Sequence, residues 1–222
     1  MTNEAPATDG KLDTLLDIIA SRRSIRKLKT TQIRESDIRT LVWAATMAPS
    51  GANIQPWKFI VVKNKQLQDK LANLVLEKTR EYEKRNSISA NAASRIRDSH
   101  FFGKAPVLIA VLVKYNQAHH GFLAKIAKAM KVDISEAIFP EAGFVEIQST
   151  AAAIENLLLA AHAMGYGACW LRIPSFSKDD LEYALNVKKP WHLMAFIPLG
   201  LPDETPKFPG RKSVDEVKEN IE

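Results

Sequence analysis

The residues of this chain best suited to chemistry lie in two short segments. The first is Ala48-Pro49-Ser50-Gly51-Ala52-Asn53-Ile54-Gln55-Pro56-Trp57, which packs two prolines, a glycine and the polar side chains of Ser50, Asn53 and Gln55 into ten residues. Pro49 stops a preceding helical pattern, and Pro56 drives Gln55 toward an extended conformation. Between them the backbone stays irregular and offers N–H and C=O groups to a planar polar partner. The same residues also suit a plain helix-to-strand turn, with Trp57 in the core. The second segment is Ser21-Arg22-Arg23-Ser24-Ile25-Arg26. A phosphate dianion needs several fixed N–H or O–H donors, and arginine supplies them in a planar fork. Arg22, Ser24 and Arg26 alternate, so an extended backbone projects all three to one side and Arg23 to the other. A basic helix end, favoured by the helix dipole, has the same composition.

Regular elements must position these segments. Leu12, Leu15, Leu16 and Ile19 recur at helical spacing and predict a helix ending near Arg22. Ser36 as N-cap, then Ile38, Leu41, Val42 and Ala45, predicts a second helix stopped by Pro49. A strand, Trp57–Val62, follows the loop, and a helix runs from Lys65 to about Asn86. The short β-branched run Val107–Val113 reads as a buried strand. Gly143–Met164, rich in Ala and Leu and closed by Gly165, is the strongest helix, buried on both sides. Gly167–Ile173 reads as one strand, Ser177 caps a helix to Leu185, and His192–Leu199 is a further strand. Residues 87–104 carry no clear pattern, and 114–141 read as a lid-like excursion. Residues 1–10 are expected to be disordered. Residues 201–222, with three prolines, form an extended tail that ends in a charged helical segment. Helices and strands interleave without repeats or a linker, so 11–222 make one mixed domain.

Composition narrows the class. Of 222 residues, 46% are hydrophobic and 25% charged, as in an ordinary globular domain. No apolar run is long enough to span a membrane, and the N-terminus lacks the regions of a secretory signal. Cys169 is the only cysteine, so no internal disulfide forms, and a cytoplasmic location is expected. The net charge of +6 invites nucleic-acid binding. However, the basic residues are interspersed with acidic ones, and no helix-turn-helix, zinc-finger or RNP pattern occurs. A solvated surface together with an anionic small-molecule site accounts for the charge instead.

Other candidates are weaker. Adjacent His119 and His120 point in different directions in regular structure, and no Cys or acidic cluster flanks them, so no metal is expected. Cys169 lies in an apolar strand, which raises a thiol's pKa. His162, in the Ala/Leu helix, reads as a core or interface residue. No Gly-x-Gly-x-x-Gly occurs, so a Rossmann site is not supported.

Together, the basic segment and the Pro49–Trp57 loop resemble the nitroreductase family of FMN-dependent oxidoreductases, in order and in spacing. Gly165-Tyr166-Gly167-Ala168-Cys169-Trp170 resembles the family's Gly-x-Gly-x-x-Trp segment. Ile197–Pro202 followed by Arg211 resembles its C-terminal part. The resemblance spans most of 12–217, with 87–141 unmatched. It implies an α+β fold, with a mixed, mainly antiparallel sheet flanked by helices. It also implies a homodimer with FMN at the interface, a loop that reaches the flavin of the other subunit, and a tail that wraps the partner. Arg22, Arg23, Ser24, Arg26 and Arg211 would bind the phosphate; Pro49, Ser50, Asn53 and Gln55 would lie against the isoalloxazine ring; the backbone at Trp170, Leu171 and Arg172 would pass its N5 edge. Many relatives carry a basic residue where this chain has Pro209, which leaves open whether Lys207 replaces it. The implied activity is ping-pong electron transfer from NADH or NADPH to a nitroaromatic or quinone, with no catalytic side chain because the flavin carries the chemistry. A flavin-cleaving or reductive dehalogenating enzyme, or a flavin-binding protein without turnover, shares the same motifs.

Overall fold

A computed structural model describes residues 10–85, 99–115, 128–129, 131, 145–173 and 175–221. Its elements are α1 (Lys11–Ser21), α2 (Glu35–Thr46), β1 (Trp57–Val62), α3 (Lys65–Arg85), β2 (Val107–Lys114), α4 (Val145–Ala163), β3 (Gly167–Ala168), β4 (Leu171–Arg172), α5 (Lys178–Ala184) and β5 (Trp191–Gly200). Short 3₁₀ turns lie at Gly51–Asn53, Ser99–Lys104 and Ser175–Ser177. The sequence readings at 1–9, at His119 and His120, and over most of 114–141 fall outside the described residues.

The sheet runs β1-β2-β5-β3, with β4 also on β5, and its strand pairs are antiparallel. The parallel component is a bridge from Ser24 to Ala168 at the β3 edge. β2 is buried on both faces, which is why it is apolar at nearly every position. Val107, Ile109 and Val111 face α2 and α4, where they meet Leu41, Ile154 and Leu157. Leu108, Ala110 and Leu112 face the other side, with Leu71, Val75 and Leu181 of α3 and α5. The result is three layers, helices on both faces of one sheet. A bulge on β5 pairs Val111 with Ala195 and Leu112 with Leu193, leaving Met194 as the extra residue. The extra residue brings Leu193 to the same face as Phe196.

Three local readings need correction. Ser36 is not the N-cap of α2; Arg34 is, and Ser36 lies in the first turn. Its hydroxyl donates to Asp37 Oδ1 at 3.3 Å, while Arg34 Nε donates to Asp37 Oδ2 at 3.0 Å. The strand expected over Gly167–Ile173 splits into β3 and β4. The register places Pro198 opposite the break at Cys169, and proline has no N–H to continue a ladder. The tail ends in a turn near Val217 rather than a helix. α4 packs one stripe inward, including Ala153, Ile154, Leu157 and Ala161, while Ala152, Leu159 and Ala160 are half-buried. α1 buries none of its residues, and Leu12, Leu15, Leu16 and Ile19 are 45 to 51% exposed.

Gly167 links core and surface. A Cβ there would stand 2.8 Å from Ile25 Cγ2 and 2.9 Å from Ile25 Cβ, closer than side chains tolerate. Gly167→Ala therefore pushes the Arg22–Arg26 segment off the sheet edge. Overpacking of this kind is expected to lower stability by about 1–3 kcal/mol, read by urea denaturation. A variant as stable as the parent would show that the segment is not seated on Gly167.

Candidate functional site

The chain leaves α1 at Arg22 with φ −56 and ψ 133, an extended conformation. Ile25 N–H then donates to Ala168 O at 3.0 Å, extending the sheet by one segment. Ile25 is buried, so Arg22, Ser24 and Arg26 share the opposite side. They gather about Cys169. Burial pushes the Cys169 thiol pKa up; the Arg26 charge, a hydrogen bond with Ser24 and the Arg22 charge oppose this without reversing it. Arg22 Nε lies 3.6 Å from Glu155 Oε1, a partly exposed pair of little strength. Arg26 has no ion pair among the described residues.

Arg23 points elsewhere, as the alternation requires. Its Nη1 donates to Ala20 O at 2.7 Å and Arg22 O at 2.8 Å, and its guanidinium carbon lies 4.7 Å from the centre of the Phe208 ring. Arg211 approaches the same ring at 5.6 Å and donates to Gly210 O at 2.6 Å. The tail reaches this point by pairing with the basic segment. Lys29 N–H donates to Leu201 O and Asp203 N–H to Lys27 O, each at 2.9 Å. Glu204 Oε1 accepts from Arg26 N–H at 2.5 Å and Lys27 N–H at 2.9 Å. Burial alone would raise the Glu204 pKa, but these two donors and the neighbouring cations hold it below the usual carboxylate value. Lys207 and Pro209 are both exposed. Nothing in the motifs marked Glu204 or Phe208, because their partners in the basic segment lie about 180 residues away in sequence.

The Pro49–Trp57 loop combines a buried end with a strained middle. Trp57 is core, at 7% exposure. Ala52, Asn53 and Gln55 have φ of 50, 53 and 44, the left-handed region that side chains avoid. Gln55 is therefore not extended, contrary to the expectation from Pro56. Its N–H instead donates to Ser50 Oγ at 3.1 Å, and Asn53 N–H donates to Ser50 O at 2.9 Å, closing the turn. A Cβ on Gly51 would meet Val145 Cγ2 at 2.7 Å, so the loop also lies tight against α4. Pro49, Asn53 and Gln55 are exposed. Trp170 is 37% exposed, Leu171 half-buried and Arg172 exposed. His162 lies at the surface end of α4, its Nε2 2.7 Å from Ser21 Oγ. It lines a cleft of about 390 Å³ together with Arg23, Ile25, Tyr166, Glu204 and Thr205. Among the described residues no group of three or more His, Cys, Asp or Glu could hold a metal ion, and no helix is long and apolar enough to cross a membrane.

The structure does not bring the loop and the basic segment of one chain together. The loop enters β1 at Trp57, on one edge of the sheet and beside Val113. The basic segment pairs with Ala168 on the other edge, near Leu199 at the opposite strand end. Four strand spacings separate them, roughly 19 Å before the offset along the strands is added.

The chain belongs to the nitroreductase family, whose model, described as Nitroreductase family, matches residues 19–201. It is 31% identical to a protein of Methanothermobacter thermautotrophicus with the provisional name NADH dehydrogenase/NAD(P)H nitroreductase; the match covers 89% of this chain and 83% of the other. Its fold superposes on a BluB-like flavoprotein from Clostridium difficile 630 with a TM-score of 0.80 and 32% identity, over 94% of this chain and 99% of that one. An iodotyrosine deiodinase bound to FMN and 3-iodo-L-tyrosine shares the fold, with a TM-score of 0.69 and 21% identity over 93% of this chain and 99% of that one.

The residues present suit FMN. Two guanidinium groups and a hydroxyl lie on one side of an extended segment, opposed by the carboxylates of Glu155, paired with Arg22, and Glu204, which interacts with Arg26 and accepts from the backbone of Arg26 and Lys27. That donor set matches a terminal phosphate dianion. Losing one charge-assisted hydrogen bond typically costs about 1.5–3 kcal/mol, or one to two orders of magnitude in affinity. Arg22→Ala combined with Arg26→Ala is accordingly expected to give folded protein largely free of FMN, measured by fluorescence titration. Full FMN occupancy at sub-micromolar concentration would remove these arginines from the site.

Proposed function

We propose that the protein is an FMN-dependent oxidoreductase that takes electrons from NADH or NADPH and delivers them to an electron-poor acceptor such as a nitroaromatic or quinone. The observation that carries this reading is the convergence of Arg22, Ser24 and Arg26 beside Cys169 in a nitroreductase-family chain. FMN, if bound, would supply the hydride and electron-transfer chemistry. The chain's own residues bind and tune it. Arg22, Ser24 and Arg26 would hold the phosphate, and Arg22 and Arg26 would also add positive charge near the flavin N1–O2 edge in the reduced, anionic state. The backbone at Trp170, Leu171 and Arg172 would pass the N5 edge. Pro49, Ser50, Asn53 and Gln55 present a shaped polar surface to the ring. Cys169 takes no part: its raised pKa keeps it a thiol near neutral pH, and no second cysteine exists to pair with it.

The site needs two copies of the chain. Loop and ledge lie on opposite sheet edges, so the loop that covers a flavin held by one ledge comes from a partner. The exposed stripe Leu12, Leu15, Leu16 and Ile19 on α1 supplies apolar surface for that homodimer. A second reading, reductive dehalogenation, draws on the likeness to iodotyrosine deiodinase. A panel of nitroaromatic, quinone and halophenol acceptors separates the two, and product analysis of the flavin itself tests for its cleavage. A protein that binds FMN but is not reduced by NADH or NADPH would be a binding module instead.

The purified protein is expected to be yellow, to release FMN on denaturation, and to show ping-pong kinetics. In stopped-flow reduction by NADH or NADPH, Cys169→Ala keeps its rate while Asn53→Ala falls about tenfold or more. Absence of flavin after reconstitution with excess FMN, or a large loss only in the cysteine variant, would overturn the reading. Mixed dimers test the shared site. One chain carries Arg22→Ala with Arg26→Ala, and the other carries Asn53→Ala. If loop and ledge meet across the interface, the mixed dimer regains one intact site, seen as NAD(P)H reduction approaching half of wild type, while FMN occupancy is about half in either arrangement. No recovery would place both elements of a site in the same chain.

A further inference from the structure

A cleft of about 550 Å³ opens where β1 begins, β2 ends and β5 begins. That volume falls in the range of small-molecule sites. The register pairs Lys114 with Trp191, and Lys114 N–H donates to Pro56 O at 2.9 Å, so the sheet itself ties the walls together. Tyr115 and Trp191 supply half-buried rings, flanked by Pro56 and Pro190. The Tyr115 ring packs against His192, with 5.4 Å between ring centres and a tilt of 54°.

Charge in the cleft is one-sided. Lys114 is the one charged residue among the described residues that line it; it is exposed and forms no ion pair with another described residue. Lys58 Nζ stands 5.7 Å from the centre of the Trp191 ring, a second cation beside the indole. The carboxylates of Glu146 and Glu182 act on Tyr115 without lining the cleft. Burial, opposed by the Lys178 charge and helped by these two carboxylates, raises the Tyr115 pKa, so the phenol is uncharged near neutral pH. Glu182 is buried and already accepts from Lys178 Nζ and Leu193 N–H.

We propose that this cleft is a binding site for planar aromatic carboxylates: the rings of Tyr115 and Trp191 take the flat body, and Lys114 takes the carboxylate. Stacking on the rings does not distinguish a carboxylate from its uncharged amide; the lysine does. The inference makes no use of the phosphate ledge, which lies on the other edge of the sheet. Gln55 and Pro56 end the Pro49–Trp57 loop as well as lining the cleft, so the test must separate a ligand held here from one stacked on a flavin.

The test compares 2-naphthoate with 2-naphthamide, which has the same ring system without the charge. Both are titrated by calorimetry into the oxidised, FMN-loaded protein with no electron donor present. Wild type is expected to bind naphthoate the more tightly. Lys114→Gln should raise the Kd for naphthoate about three- to tenfold, as for losing one partly exposed charged contact, and leave naphthamide within about twofold. Lys114→Arg, which keeps the charge, should restore most of the preference. Trp191→Leu should weaken both ligands to a similar degree, with its folding checked by thermal melting. Absence of binding to wild type, or equal affinity for the two ligands, would overturn the proposal. So would a naphthoate affinity unchanged in both Lys114→Gln and Trp191→Leu, which would place the ligand elsewhere, the flavin face included. An equal loss of both ligands in Lys114→Gln would make Lys114 a structural residue and overturn its role. Failure to load FMN would count against the flavin reading alone, because the same titrations on the flavin-free protein still decide the cleft.

Discussion

One edge pairing governs the arrangement of this protein: the seat of Ile25 against Gly167 and Ala168. The hydrogen bond from Ile25 N–H to Ala168 O holds the segment after α1 extended. Extension makes alternate side chains diverge, and divergence turns a run of basic residues into two sets with different partners. The seat itself is placed from the other side of the molecule. Gly165, at φ 78, turns the chain out of α4, and Tyr166 donates its hydroxyl to Asp37 Oδ2 at 2.6 Å. That bond and the Arg34 guanidinium hold the Asp37 pKa below its ordinary value. α2, the end of α4 and β3 are thereby tied into one frame, and the cationic segment inherits its direction from that frame.

Much of the fold was legible because its signals are local and strong. Trp57–Val62 and Lys65–Arg85 fall where periodicity places them, and β2 is a run of apolar residues buried on both faces. What was not legible depends on partners distant in sequence. Ser36 has the chemistry of a cap, yet Asp37 and Arg34 set the helix start. The break after β3 is caused by Pro198, on another strand. Gln55 departs from the local preference imposed by Pro56 because Ser50 captures its N–H. For the site, spacing identified which residues belong to each motif, but not that the motifs stand on opposite sheet edges. That separation follows from strand order, which no short window of sequence contains.

Cys169 shows how magnitude decides between opposed effects. Two arginines and a serine surround it, a setting that commonly stabilises a thiolate. Burial nevertheless dominates, and the thiol pKa rises. Cys169 therefore adds no negative charge beneath the arginines, whose acidic neighbours are Glu155 and Glu204. A neutral, compact side chain below an arginine pair strengthens anion binding more than a thiolate in the same place would.

The loop between Pro49 and Trp57 keeps side chains on left-handed backbone at Ala52, Asn53 and Gln55, where glycine would be less strained. Its energetic cost has a consequence for how the sequence can change. Glycine at these positions would relax the folded loop, but it would also enlarge the set of shapes open to the unfolded chain and loosen the one shape the fold imposes. Substitutions here thus pull stability and shape in different directions. The segment is a place where a more stable protein and a better-defined surface are separate goals, and sequence drift toward either one is restrained by the other.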